Sequence, residues 1–256
     1  MKERAECNVI GFQFSYPSFR QAGNHCSMPL FFNADALPDP TNEYVAWVDV
    51  MGTRASMSNS MKITANFIFK LHIAAMQAPH AGIRIYPVMD GFYASCPSKA
   101  EILDFLRSVF SEVAATFEAE TEPRFRFLIR GALAYGRVVH GESLPAATSH
   151  TLAGVPAYRD QILLGMPMVQ AHLAEEGAPP FGIQVHESAR TFAPAGAEPL
   201  HDTWWTWDNA ATHAVWVALL PALNEYFAWC EERFVRINYE SDRIAAHRAM
   251  ARQYFV

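Results

Sequence analysis

Tyr44-Val45-Ala46-Trp47-Val48-Asp49-Val50-Met51-Gly52-Thr53-Arg54 is an apolar run of strand character that ends on a lone carboxylate, then a glycine, then hydroxyl and basic side chains. An apolar run of this length, rich in β-branched and aromatic residues and bounded by glycine, reads as a buried strand. Asp49 is the exception. A carboxylate is costly to bury unless it is paired, and a metal ion is one partner that offsets the cost. An aspartate capping the following helix is the alternative, because Asp is a good N-cap. The stretch alone leaves both readings open, and a second carboxylate is needed to decide.

The surrounding chain sets the frame. With 256 residues, 51% hydrophobic and 18% charged, it can bury a large core and is globular rather than disordered. A net charge of -6 argues against wrapping DNA or RNA by bulk electrostatics, so no nucleic-acid partner is expected, while a small anionic ligand held by local cations is allowed. Cys7, Cys26, Cys96 and Cys230 show neither close pairing nor a CxxC spacing, so neither zinc nor a disulfide framework is indicated. No apolar run of spanning length and no signal-peptide pattern occurs. The expectation is a soluble cytoplasmic protein with no membrane partner.

Residues 1–42 are aromatic-rich but irregular and end in Leu37-Pro38-Asp39-Pro40, which suggests a boundary; they read as an extension packed on the domain. Residues 55–77 carry Met61, Phe67, Ile68, Leu71 and Ala75 at helical spacing, with Pro79 as the stop. Strand-like residues 83–89 and 92–96 are joined through Asp90-Gly91, a strong hairpin signal that places Asp90 at the tip. Residues 98–118 read as a helix with Ser98 and Glu101 as a capping box. A strand follows over 125–135 and a surface loop over 142–158. Residues 160–176 predict a helix, regular from Pro167, with Ile162, Met166, Val169 and Leu173 along one stripe. Short strands over 181–186 and 201–207 precede a largely helical segment over 214–250, whose basic face of Arg243, His247, Arg248 and Arg252 reads as solvated surface. His140, His186 and His201 show no metal-ligand spacing and read as structural.

This α+β order lets Asp49 and Asp90 meet at one sheet edge. Two such carboxylates repel unless a cation lies between them, so the pair reads as a divalent-metal site. Two ions bridged by two carboxylates and facing a triphosphate suit nucleotidyl transfer.

Here the chain resembles the class III nucleotidyl cyclases, which show a strand ending Phe-x-Asp-Ile-x-Gly-Phe, a hairpin Lys-x-x-Gly-Asp-Gly, and a later Arg-x-Gly followed by Gly-x-Val-x-x-Gly. The corresponding stretches are Val48-Asp49-Val50-Met51-Gly52, Tyr86-Pro87-Val88-Met89-Asp90-Gly91, and Arg130-Gly131 with Gly136-Arg137-Val138-Val139-His140-Gly141. They stand in family order over residues 44–187. The resemblance implies a ferredoxin-like sheet with helices over a catalytic domain at 43–210, and a C-terminal helical extension at 211–256. It implies that Asp49, Asp90 and the Val50 carbonyl hold two Mg²⁺ or Mn²⁺ ions, with the amides of Met51, Gly52 and Thr53 cradling phosphates at a helix N-terminus. It also implies a homodimer with active sites at the interface.

The departures are informative. The hairpin lysine that reads the purine base is Tyr86 here, and its partner position falls near Met166. The family's Asn-x-x-x-Arg aligns with Val169 and Leu173, leaving Gln170 and His172 as the nearest polar substitutes for contacting ribose and the transition state. A site that loses its base-reading groups loses discrimination steeply. The closest resemblance is therefore to the Pycsar pyrimidine cyclases of bacterial antiphage defence, which implies conversion of UTP to cyclic UMP for a separate cyclic-nucleotide effector. Tyr86 and Arg84 are then candidate base-binding residues, and Arg54, Lys62, Arg130 and Arg137 candidate cations for the triphosphate or transition state. A cytidylate or purine cyclase, or a cyclase-fold binding module without turnover, are the alternatives.

Overall fold

A continuous buried run from Glu43 to Val48 follows two exposed polar residues and forms the central strand β1 (Thr41–Val50). The structure, a computed structural model, describes residues 33–233 and 237–255. Most of the extension expected over 1–42 lies outside the described residues. Within them, Leu37 to Pro40 have no regular structure, and β1 begins at Thr41, so the expected boundary at residue 42 falls inside the strand.

β1 pairs antiparallel with β3 (Gly91–Cys96) on one side and β4 (Ile129–His140) on the other. β2 (Arg84–Val88) extends the sheet beyond β3, and β6 (Ile183–Val185) lies parallel to β4, followed by β7 (Trp204–Trp205). The short β5 (Leu163–Leu164) pairs with the far end of β4. The result is a seven-stranded mixed sheet in the order β2-β3-β1-β4-β6-β7, an α+β fold as expected.

The two faces of β1 divide the core. Tyr44, Ala46, Val48 and Val50 enter one large cluster with α2 (Met61–Gln77), α3 (Lys99–Ala119) and α8 (His213–Glu231). Val45 and Trp47 face the other way, where α6 (Met166–Ala174) crosses β1 and β4. Packing rather than capping holds α3. Ser98 accepts from the Glu101 amide at 3.4 Å, a cap worth about 1 kcal/mol. Each fully buried side chain such as Phe105 or Phe110 contributes roughly 1.5–3 kcal/mol. The Glu101 carboxylate completes no box, because it accepts from the Cys96 thiol instead.

Several expected elements shift, each for a local reason. The helix expected over 55–77 breaks at Ser60, whose extended backbone ends α1 (Thr53–Asn59) and whose hydroxyl caps α2. Met61 is consequently exposed rather than part of the buried stripe. The strand expected over 125–135 starts later and runs further, to His140, because residues Pro123–Phe125 form a 3₁₀ turn. The loop over 142–158 holds two one-turn helices, α4 (His150–Ala153) and α5 (Pro156–Arg159). In α6 the buried side chains are Pro167 and Ala171, and the apolar stripe Met166, Val169, Leu173 faces solvent. A one-turn helix α7 (Glu187–Thr191) follows β6.

The helical run over 214–250 is two helices, α8 and α9 (Ser241–Tyr254). Leu219, Leu223 and Phe227 of α8 and Ile244 of α9 lie in the main core, so this segment completes the core rather than decorating it. The basic face divides: His247 is buried, Arg248 bonds Glu231 at 2.7 Å, and Arg243 and Arg252 are exposed.

Candidate active site

Asp49 is the penultimate residue of β1, opposite Gly91 on β3 and Arg130 on β4. Because Val50 points into the main core, Asp49 shares the opposite face with Trp47. The β2–β3 loop consists of Met89 and Asp90, with Met89 in the left-handed region at φ 40°. Gly91 is therefore the first strand residue and not a turn glycine. It must be glycine because a Cβ there would lie 2.3 Å from the Val48 carbonyl oxygen. That close approach brings the hairpin tip against the end of β1.

Two bonds lock the tip in place. The Val50 amide donates to the Asp90 carbonyl at 3.3 Å, and the Thr53 hydroxyl donates to the Asp90 carboxylate. Gly52, with φ 75° and open space around its α-carbon, supplies the left-handed step from β1 into α1. The Thr53 side chain thus faces the hairpin.

Burial drives the Asp49 carboxyl up to about 8, and the negative charges of Asp90 and Glu175 push the same way against Arg130 and a backbone contact at Val50. Its Oδ1 is buried without a partner. A buried, unpartnered carboxylate oxygen beside a second carboxylate is the donor set a hard divalent cation requires. The pair therefore fits Mg²⁺ or Mn²⁺. Among the described residues no cluster of three or more His, Cys, Asp or Glu side chains gathers, so further ligands would be backbone or solvent oxygens.

Asp49 opens onto a cavity of about 900 Å³. Residues 49–56 and 58–60 form one part of its lining, and Tyr239, Arg243 and His247 belong to another. Five arginines line it: Arg54, Arg124, Arg126, Arg130 and Arg243. Arg126 is buried and bonded to Glu225 at 3.0 Å and to the Glu120 carbonyl at 2.8 Å. Arg130 is bonded to the buried Glu175.

Of the sequence-predicted residues, Asp49, Val50, Met51, Gly52, Thr53, Arg54 and Arg130 come together at this cavity, with Asp90 bonded to Thr53 beside them. The Met51 amide is already spent on the Leu128 carbonyl at 2.8 Å, so it has no hydrogen left for a phosphate. Arg130 reaches the site but is held by Glu175.

Other predicted residues lie elsewhere. The Tyr86 hydroxyl bonds His140 Nδ1 at 2.6 Å, and His140 Nε2 bonds Glu43 at 2.8 Å, all buried. Arg84 is tied to Glu142 at 2.6 Å and to Glu43 at 3.7 Å. Neither Tyr86 nor Arg84 lines the cavity, because β2 is the outer strand and its polar groups are satisfied internally. Gln170 and Arg137 line a different cavity of about 460 Å³, together with Met166. His172 stacks edge-on against Trp47 with centroids 5.4 Å apart, and Lys62 lines neither cavity. His140 and His186 are both engaged in internal hydrogen bonds.

Tyr239, Arg243 and His247 were not among the expected site residues. The basic face of the helix that carries Arg243 and His247 was legible in the sequence, but its share in the lining of this cavity was not.

No protein-family model and no curated protein matches the chain. Among solved structures, it is similar to the guanylyl cyclase domain of the RhoGC fusion protein from the aquatic fungus Blastocladiella emersonii, at 15% identity and TM-score 0.43, over 60% of this chain and 85% of that one. It is similar to the guanylate cyclase domain of RhGC from Catenaria anguillulae in complex with GTP, at 14% identity and TM-score 0.42, over 58% and 80%. The adenylate/guanylate cyclase/hydrolase from Silicibacter pomeroyi shows 16% identity and TM-score 0.40, over 57% and 76%. These are distant likenesses of chain course over part of the length.

Proposed function

We propose that this chain is a divalent-metal-dependent nucleotide cyclase that converts a nucleoside triphosphate, UTP by preference, to the 3′,5′-cyclic monophosphate and pyrophosphate. The observation that carries the reading is the convergence of Asp49 and Asp90 beside a cavity rich in arginine, with a buried Asp49 oxygen left without a partner. Asp49, Asp90 and the Val50 carbonyl are the proposed ligands. When bound there, two Mg²⁺ or Mn²⁺ ions supply acidification of the ribose 3′-hydroxyl and charge neutralisation on the departing pyrophosphate.

The chain's own groups do the positioning. Thr53 fixes the Asp90 carboxylate. Arg54, at the start of α1, offers its guanidinium to the phosphates. The reaction forms one bond, from the 3′-oxygen to the α-phosphorus, and breaks one, from that phosphorus to the oxygen bridging to the β-phosphate. The hydroxyl proton leaves to solvent.

The preference for UTP rests on what is missing. Tyr86 and Met166 stand where a purine cyclase carries polar base readers, and the Tyr86 hydroxyl is committed to His140. The exposed stripe Met166, Val169, Leu173 supports a homodimer that completes the site around the base and ribose. By the same resemblance, cyclic UMP serves as an antiphage signal for a separate effector.

Purified protein with Mn²⁺ and all four ribonucleoside triphosphates together tests the assignment. Cyclic UMP and pyrophosphate are the expected products, lost in Asp49→Ala and in Asp90→Ala. Turnover that survives either substitution overturns the metal-site reading, and a cyclic purine product overturns the base preference. Nucleotide binding without turnover would favour a cyclase-fold binding module.

A further inference from the structure

The arginines lining the cavity differ in whether they are free to bind anything. Arg126 is spent on Glu225 and the Glu120 carbonyl, Arg130 on Glu175, and Arg124 lies 3.6 Å from Glu122. Among the described residues, Arg54 and Arg243 have no carboxylate or carbonyl partner. They come from separate parts of the lining, Arg54 from the first turn of α1 and Arg243 from α9. None of the lining residues comes from α6.

Arg243 is held by a fixed frame. Ile244, His247, Ala251 and Tyr254 bury one side of α9. The helix is pinned near its start by the hydrogen bond between the Tyr239 hydroxyl and His247 Nδ1, and at its end by the Tyr254 hydroxyl donating to the Trp205 carbonyl at 2.6 Å. Asn238, in the left-handed region at φ 52°, turns the chain into Tyr239. Arg243 stands four residues before His247, on the same side of the helix. Arg243 and His247 line the same cavity as Asp49 and its cross-strand neighbour Arg130.

From this arrangement we infer that the C-terminal helix supplies a phosphate-binding residue in cis: Arg243, paired with Arg54, holds the β- and γ-phosphates of the substrate. The inference rests on the nucleotide-cyclase reading and adds a substrate-binding residue to it. The pinned helix fixes the place from which the Arg243 side chain reaches the cavity, and its guanidinium fork suits two phosphate oxygens at once. It also supplies an arginine where α6, with the exposed Val169 and Leu173, carries neither Lys nor Arg.

Calorimetric titration of inorganic tripolyphosphate in the presence of Mn²⁺ tests this without turnover, beside steady-state kinetics with UTP. Arg243→Ala is expected to weaken tripolyphosphate binding and raise KM by about tenfold or more, with a smaller change in kcat. Arg243→Lys, which keeps the charge but not the fork, is expected to recover part of the loss. Arg252→Ala, on the same helix but outside the cavity, is expected to behave as the unsubstituted protein. Because Arg243 is exposed, its alanine variant should melt at an unchanged temperature. Unchanged tripolyphosphate affinity and KM in Arg243→Ala overturn the inference while leaving cyclase activity standing. Arg243-dependent tripolyphosphate binding with no nucleotide cyclised upholds the phosphate site and overturns the cyclase reading.

Discussion

The Thr53 hydroxyl donates to the Asp90 carboxylate, tying the first helical residue after β1 to the tip of a hairpin 37 residues further on. This bond orients one of the two proposed metal-binding carboxylates relative to the other. Groups that orient a ligand typically change metal affinity 10–100-fold when removed. Thr53→Val should therefore weaken Mn²⁺ binding by about tenfold, and Thr53→Ser should retain it. Equal affinities in a Mn²⁺ titration followed by electron paramagnetic resonance would show that Asp90 needs no such support.

Asp49 gives the metal-free protein a pH dependence. Its carboxyl sits at about 8 in the fold and near 3.8 when unfolded. The unfolded chain therefore gives up this proton first as pH rises. The contribution is fully present below pH 4 and is lost progressively up to about pH 8. Asp49→Asn should remove that loss and raise the melting temperature of the metal-free protein at pH 8 by about 2–6 °C. It should also abolish stabilisation by Mn²⁺. Parallel melts with and without chelator read both effects.

His247 acts in the opposite direction. Burial first, then the charges of Arg130 and Arg243, hold its imidazole down at about 4, against an ordinary value of 6.5. Its share of stability is present above pH 6.5 and is lost as pH falls towards 4. The melting temperature should fall over that window, and less steeply in His247→Gln. Identical slopes would place the acid sensitivity at another group.

Gly91→Ala should be severe for a steric reason alone. Its new methyl would meet the Val48 carbonyl oxygen at 2.3 Å and the Trp47 ring at 2.9 Å. Forcing β3 away from β1 is expected to cost about 1–3 kcal/mol and to shift Asp90 with the hairpin. Chemical denaturation measures the first effect, and loss of Mn²⁺ binding the second. Gly52→Ala has room for its methyl and strains only the left-handed backbone, so it should cost less, about 1 kcal/mol.

Tyr86→Phe separates a structural hydroxyl from a base-reading one. The His140 ring bonds the Glu43 carboxylate through Nε2 and the Tyr86 hydroxyl through Nδ1, so the hydroxyl is the partner of a buried ring nitrogen. Burial alone would raise the Glu43 carboxyl, but His140, Thr41 and Arg84 outweigh it and hold it below its ordinary value. Removing the hydroxyl leaves a buried ring nitrogen unsatisfied, at a cost of about 1–3 kcal/mol. Lower stability with an unchanged ratio of cyclic products is the expected result. A changed ratio at equal stability would mean that the hydroxyl reads the base.

The sequence by itself determined the strand that carries Asp49, the hairpin that carries Asp90, and the α+β order that brings them to one edge. These follow from local physics: a continuous apolar run bounded by glycine, loop residues between two strands, and the repulsion of two carboxylates lacking a cation. It also showed that Val169 and Leu173 cannot contact a phosphate. Only the tertiary structure decided which cations remain free. Arg130 and Arg243 look alike in the chain, yet Arg130 meets Glu175, which lies 45 residues on, while Arg243 lines the cavity with no such partner among the described residues. In the same way, Tyr86 lost its hydroxyl to His140, which lies 54 residues away, and the apolar stripe of α6 turned outward because Pro167 and Ala171 made the closer packing surface. Pairings at such separations depend on which surfaces the sheet brings together, and no local pattern encodes them.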